Sequence, residues 1–202
     1  MRNPMLVGER VYLRPLELAD AEDLARGAVS EPETFFQRGR FPASAIAFEH
    51  MIREVNGKPH PLSEIFFAVC LKEDDRLIGG VNVDHIDWID RTGETGSGFL
   101  PEFRGQGYGT EAKFLLLEYC FDRMHFHAIR SHVFEPNSRS AAALLKQGYR
   151  PAGRLHWEDI KNGVYQDTLV FDVLRDEYLK ARERWRCEML TASSSTPAAL
   201  DR

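Results

Sequence analysis

The sequence predicts one α/β (α+β) domain in which helices flank a central, mostly antiparallel mixed sheet of about seven strands. Three observations lead there. Apolar runs at 65–71 and 77–86 flank the charged turn Lys72-Glu73-Asp74-Asp75-Arg76, a hairpin signature, and a third run at 94–100 extends it into a meander. Residues 112–124 then read as a helix apolar on nearly every side, as one buried across a sheet would be. A second hairpin, 155–160 with 164–174, turns at Lys161-Asn162-Gly163.

Taken in order, Val11-Tyr12-Leu13-Arg14-Pro15 reads as the first strand, stopped by its proline. Asp20 is positioned to cap a helix over 21–28. Pro32, Gly39 and Pro42 break up residues 30–43, where Phe35, Phe36 and Phe41 either pin the loop to the core or wall a substrate pocket. Ser44 caps a second helix reaching Asn56, with Phe48, Met51, Ile52 and Val55 at helical spacing. Residues 128–134 alternate as a strand. Asn137 or Ser138 caps a helix over 139–147, which Gly148 closes. A last helix runs from Arg175 to about Cys187. The small, polar residues after it suggest a disordered tail at 188–202, leaving a single domain over 1–187 without internal repeats.

Composition narrows the function. The 202 residues are 43% hydrophobic and 28% charged, as in soluble globular proteins. A net charge of −5 offers no general attraction for nucleic acid or an anionic membrane, while it tolerates cationic amines. Cys70, Cys120 and Cys187 are far apart and odd in number, with no C-x-x-C pair to suggest zinc or redox work. The N-terminus lacks an apolar leader, and no run approaches the length of a membrane span. The expectation is a cytoplasmic protein that needs no metal.

The chemistry concentrates at Arg104-Gly105-Gln106-Gly107-Tyr108-Gly109-Thr110, between the end of a strand and the start of a helix. Glycines let backbone amides approach a ligand closely, and the first amides of a helix lack partners and favour an anion. This is either a phosphate site or a plain turn. A Walker loop is excluded because Thr110-Glu111 follows the last glycine, and the glycine spacing is not that of a dinucleotide fingerprint.

Arg104-x-x-Gly107-x-Gly109 resembles the R/Q-x-x-G-x-G/A signature of GNAT acyltransferases. The line from Glu94 to Ala112 resembles E-x-G-x-x-x-x-P-E-Y-x-G-x-G-Y-A-T-E-A of the RimJ/RimL-like branch. Residues 6–15, Glu135 to Ser140, and Asn162 to Leu169 with Leu174 to Tyr178 are similar to that branch as well. The resemblance implies a GNAT fold whose sheet splays at an acetyl-CoA site. It also implies transfer of an acetyl group to an amine, by a monomer or homodimer.

Residue by residue, the resemblance places backbone of Phe99 and Leu100 on the pantetheine arm. It puts Arg104, Gly105, Gln106, Gly107, Tyr108, Gly109 and Thr110 at the pyrophosphate, and Asn137 on the pantetheine. Ser140 falls near the thioester sulfur as a proton donor, and Lys146 within reach of a phosphate. Glu94 is the candidate general base, though it also reads as an ordinary strand-end carboxylate, and His85 between Asp84 and Asp87 is the runner-up. Leu144 stands where many relatives carry an acidic tyrosine, so that route is absent. The implied acceptor is a protein N-terminal α-amine. A small amine (antibiotic, polyamine or amino-acid conjugate) and a non-catalytic acyl-CoA sensor or scaffold are the alternatives.

Overall fold

Strand pairing in the computed structural model, which describes residues 1–30, 44–161 and 163–194, forms one eight-stranded sheet. The strands are β1 (Leu6–Val7), β2 (Val11–Pro15), β3 (Ile65–Leu71), β4 (Leu77–Asp87), β5 (Thr92–Phe99), β6 (Ala128–Phe134), β7 (Arg150–Lys161) and β8 (Val164–Leu174). Their spatial order is β1-β2-β3-β4-β5-β6-β8-β7. Every neighbouring pair is antiparallel except β5 and β6, which run parallel. The eighth strand, β1, was not foreseen because two residues are too few to show a period. Leu6 and Val7 earn their place by pairing with Leu13 and Tyr12.

Among the described residues, five α-helices cover the two faces: α1 (Ala21–Ser30), α2 (Ala45–Asn56), α3 (Tyr108–Glu118), α4 (Ser138–Lys146) and α5 (Arg175–Ser194). Strand alternation sends neighbouring side chains to opposite faces, so β2, β3 and β4 each feed two cores. Val11, Leu13, Val69, Val81 and Val83 join Leu116 and Leu117 of α3 and Tyr178 of α5. On the other face Tyr12, Ala68 and Cys70 join Ala21 and Ala28 of α1 and Phe48 and Ile52 of α2. Cys70 and Cys120 are buried fillers. Among the described residues, no helix is long and apolar enough to cross a membrane.

Several expectations need correction. Asp20 does not cap α1. Its buried carboxylate forms a fork with Arg14, at 2.6 and 2.7 Å, and accepts from the Glu17 amide at 2.8 Å. That charge pair ties β2 to the 3₁₀ turn Leu18–Asp20 that leads into α1. The long apolar helix begins at Tyr108, where the glycine loop was expected to end, but its last turn, Tyr119–Arg123, is π-helical. α5 continues past Cys187 to Ser194, so the tail expected from 188 begins no earlier than 195, and residues 195–202 lie outside the described residues. Phe35, Phe36 and Phe41 lie outside them too. Ser44 caps α2 as expected, its hydroxyl accepting from the Ala47 amide at 3.2 Å.

Candidate active site

The parallel pair β5–β6 is short. Thr92, Gly93 and Glu94 pair with Ala128, Ile129 and Arg130, and there the ladder ends. Beyond it β5 continues on β4 as far as Phe99↔Gly79, while β6 continues on β8 as far as Phe134↔Thr168. Each strand stays bonded to its outer neighbour, so the two diverge. At the apex side chains replace the missing ladder. Ser131 Oγ donates to the Thr95 carbonyl at 2.8 Å, and Thr95 Oγ1 lies 2.6 Å from the buried Tyr149 hydroxyl. Burial pushes the Tyr149 phenol well above its ordinary range, so it stays neutral.

A cavity of about 850 Å³ fills the divergence. Ser97, Gly98 and Phe99 of β5 form one wall, and Phe134 with Asn137 and Ser140 forms the other. The glycine loop closes one end through Arg104, Gly105, Gly107, Gly109 and Thr110. Towards α1 and α2 the lining turns apolar, with Leu24, Met51 and Phe66 beside Asn82. One space therefore connects the loop to the opposite face of the sheet.

In the loop, Gly105 and Gly107 have φ of +75° and +86°, which a side chain would strain. Gly107 is the N-cap of α3, so the amides of Gly107, Tyr108, Gly109 and Thr110 begin the helix without intrahelical acceptors. They supply partial positive charge at the end of the cavity. Gln106 and Tyr108, both expected at the pyrophosphate, are not among the residues that line the cavity. The Gln106 amide donates to the Glu102 carbonyl at 2.8 Å, and Tyr108 packs against Phe103. A Cβ at Gly109 would meet the Phe99 ring at 3.2 Å, so glycine fits here with least crowding.

Leu100 lines the cavity, but its backbone amide is already engaged. Its N–H donates to the Ile78 carbonyl at 3.0 Å and its carbonyl accepts from the Phe103 amide at 3.0 Å, so its amide is not available to a pantetheine arm. Antiparallel ladders alternate, so Phe99, one residue earlier, turns its N–H away from β4 and into the gap. The Phe99 carbonyl is held by Arg104 Nε at 2.7 Å. That leaves the Phe99 amide as a donor facing the cavity, and alternation turns the Ser97 amide the same way. Arg104 thus orders the end of β5 as well as lining the loop.

Asn137 caps α4, its Oδ1 accepting from the Ser140 amide at 3.1 Å, and both residues line the cavity. Lys146 lines it one helix length further on. Leu144, in the place of the missing tyrosine, is buried in the core.

Glu94 sits on the α1–α2 face, outside the cavity lining. Its Oε1 is 2.6 Å from His132 Nδ1 on β6, and its Oε2 is 3.9 Å from His85 Nδ1. His85 lies 3.0 Å from Asp84 Oδ1, and Asp84 Oδ2 accepts from the cavity-lining Asn82 amide at 2.8 Å. The result is a polar chain of Asn82, Asp84, His85, Glu94 and His132 leading from the cavity along three strands. The Asp84 carboxylate, accepting from the protonated imidazole, raises the His85 pKa. His132 was missed. Alternation places it on this face, but its partner Glu94 lies across a parallel pairing that local sequence does not encode.

The GNAT acetyltransferase domain family matches residues 10–150. A probable N-acetyltransferase of Bacillus subtilis (strain 168), YjcK, is 30% identical over 86% of this chain and 98% of its own length. The spermidine N(1)-acetyltransferase of Vibrio cholerae is 30% identical over 68% of this chain and 79% of its own. A chimera of the Vibrio cholerae spermidine N-acetyltransferase SpeG and hSSAT superposes with a TM-score of 0.74 at 26% identity, covering 85% of this chain and 99% of that one. Mycobacterium smegmatis RimJ, solved with CoA-disulfide, shares the fold at a TM-score of 0.75 and 21% identity, over 86% and 89% of the two chains. The family match spans the loop, the diverging strands and the start of α4, and the chain belongs to the GNAT family of N-acetyltransferases.

Proposed function

We propose that the protein moves an acetyl group from acetyl-CoA to a primary amine by direct attack, the amine entering from the α1–α2 side. The observation that carries this reading is the single cavity joining the amide-rich loop to the opposite face between two diverging strands. On this reading the diphosphate rests on the amides of Gly107 to Thr110, with Arg104 and Lys146 nearby. The pantetheine arm lies along the Phe99 amide like an added strand. Asn137 contacts the arm, and Ser140 faces the sulfur.

The chemistry then asks little of the side chains. The amine nitrogen attacks the thioester carbonyl carbon, and a backbone amide supports the developing oxyanion. The C–S bond breaks, and the thiolate takes a proton from the Ser140 hydroxyl, which solvent restores. The ammonium loses one proton through water to Glu94 before attack, the carboxylate being kept in place by His132, and the acylated nitrogen loses a second proton to solvent as the amide forms. Asp84 and Glu94 also favour a cationic acceptor near the cavity.

For the acceptor, a protein N-terminal α-amine is the first reading. The apolar wall of Leu24, Met51 and Phe66 suits the side chain next to such an amine. The relatives named for spermidine acetylation favour a second reading, a polyamine held through Asp84 and Glu94. Transfer from acetyl-CoA to peptides with varied N-termini and to spermidine separates the two. Rapid acetylation of apolar-led peptides supports the first, and preference for spermidine the second. Calorimetry should show acetyl-CoA binding that Gly107→Glu abolishes. CoA binding without transfer to any amine would leave a sensor, and no binding at millimolar acetyl-CoA would overturn the whole reading.

A further inference from the structure

Glu111, in the first turn of α3, has a fully buried side chain (0% exposed) outside the cavity. Its carboxylate accepts three hydrogen bonds from the start of β2: Arg10 N at 2.8 Å, Val11 N at 3.2 Å and Arg10 Nε at 3.1 Å. A Cβ at Gly8 would sit 2.5 Å from Glu111 Oε1, so this approach depends on glycine there. Gripped in this way, the Arg10 guanidinium lies over the Tyr108 ring at 4.7 Å and donates through Nη1 to the Gln106 carbonyl at 2.9 Å. Its Nη2 stands 3.0 Å behind the place where a Cβ of Gly107 would be.

A trans peptide is planar, with its C=O and the following N–H pointing in opposite directions. Holding the Gln106 carbonyl against Arg10 therefore turns the Gly107 N–H the other way, into the cavity that Gly107 lines. We infer that Arg10, fixed by the buried Glu111, is a positioning residue that aims the Gly107 amide at the diphosphate of the acetyl donor. The inference rests on the acetyl-CoA reading of the cavity. Arg10 and Glu111 cancel in charge, so their effect on the donor is orientation rather than attraction. Nothing in this arrangement reaches the thioester or the acceptor.

The test compares two donors. Acetyl-CoA carries the diphosphate, and acetyl-pantetheine lacks it. In Arg10→Met, calorimetry should show acetyl-CoA affinity about tenfold weaker, the effect of losing one hydrogen bond to a charged group. Acetyl-pantetheine binding, followed by ligand-observed NMR, should change less than twofold. The double variant Arg10→Met/Glu111→Gln leaves no buried charge unpaired and should behave the same way, with a cooperative melt. Equal weakening of both donors, or full acetyl-CoA affinity in the folded double variant, would overturn the positioning role. A wild-type protein that binds neither donor would overturn the acetyl-CoA reading beneath it.

Discussion

Lys113 supplies a quantitative test of how α3 is built. Its side chain is 2% exposed on the sheet-facing side of the helix, and among the described residues it has no ion-pair partner. Burial lowers its pKa from 10.5 to about 7, opposed only weakly by Cys120, Asp84 and Glu94. At this position the unfolded chain therefore binds a proton between pH 7 and 10.5 that the folded chain releases, so the Lys113 contribution to stability rises with pH across that window. At pH 7 the difference of 3.5 units (10.5 − 7), less the half-protonated folded group, sets a ceiling of about 4 kcal/mol on the penalty. Lys113→Met removes it and keeps the volume. The variant should gain up to about 4 kcal/mol at pH 7, or about 8–16 °C in Tm, and the gain should vanish near pH 10.5. Urea unfolding of both proteins from pH 6 to 10.5 measures it. Taking the difference cancels Tyr12, Tyr119, Tyr149 and Tyr178, whose phenols burial pushes up. A gain independent of pH, or a destabilised variant, refutes the reasoning.

Asp20→Ala orphans the buried Arg14 guanidinium and should cost about 3–5 kcal/mol in chemical unfolding, whereas Arg14→Met/Asp20→Leu should recover most of that loss. Ser140→Ala should lower kcat about 10²-fold with KM for acetyl-CoA unchanged, measured by steady-state kinetics, and a full kcat would remove the serine from proton donation. Glu94→Gln keeps an acceptor for His132 but loses the charge. Its kcat/KM should fall about tenfold at pH 7, with the deficit shrinking by pH 9.5 as the free amine ceases to need a base. A deficit constant with pH would point to a structural role.

Elements whose signals are local were readable from the chain. The 65–100 meander, the Ser44 and Asn137 caps and the glycine loop each rest on neighbours a few residues apart. What escaped depends on partners far along the chain. Leu100 read as free backbone until Ile78 and Phe103 claimed both of its polar groups. Asp20 read as a cap because Arg14 and Asp20 show no periodic relation. The apex of the fork needs Thr95, Ser131 and Tyr149 together, and Glu94 needs His132 across a crossover through α3. Arg10 lies 101 residues from Glu111 and belongs to no phosphate-loop pattern.

The divergence of β5 from β6 also divides the molecule mechanically. β1 to β5 form one plate and β6 to β8 another, joined edge to edge by three residue pairs and the hydroxyl contacts at Thr95. The ladder bonds resist sliding along the strands, while opening is opposed by the core beneath α3, to which both plates contribute. On the proposed placement of the acetyl donor, a ligand bonded to β5 on one side and touching α4 on the other would span both plates, and its binding is expected to slow hydrogen exchange in regions that touch no ligand atom.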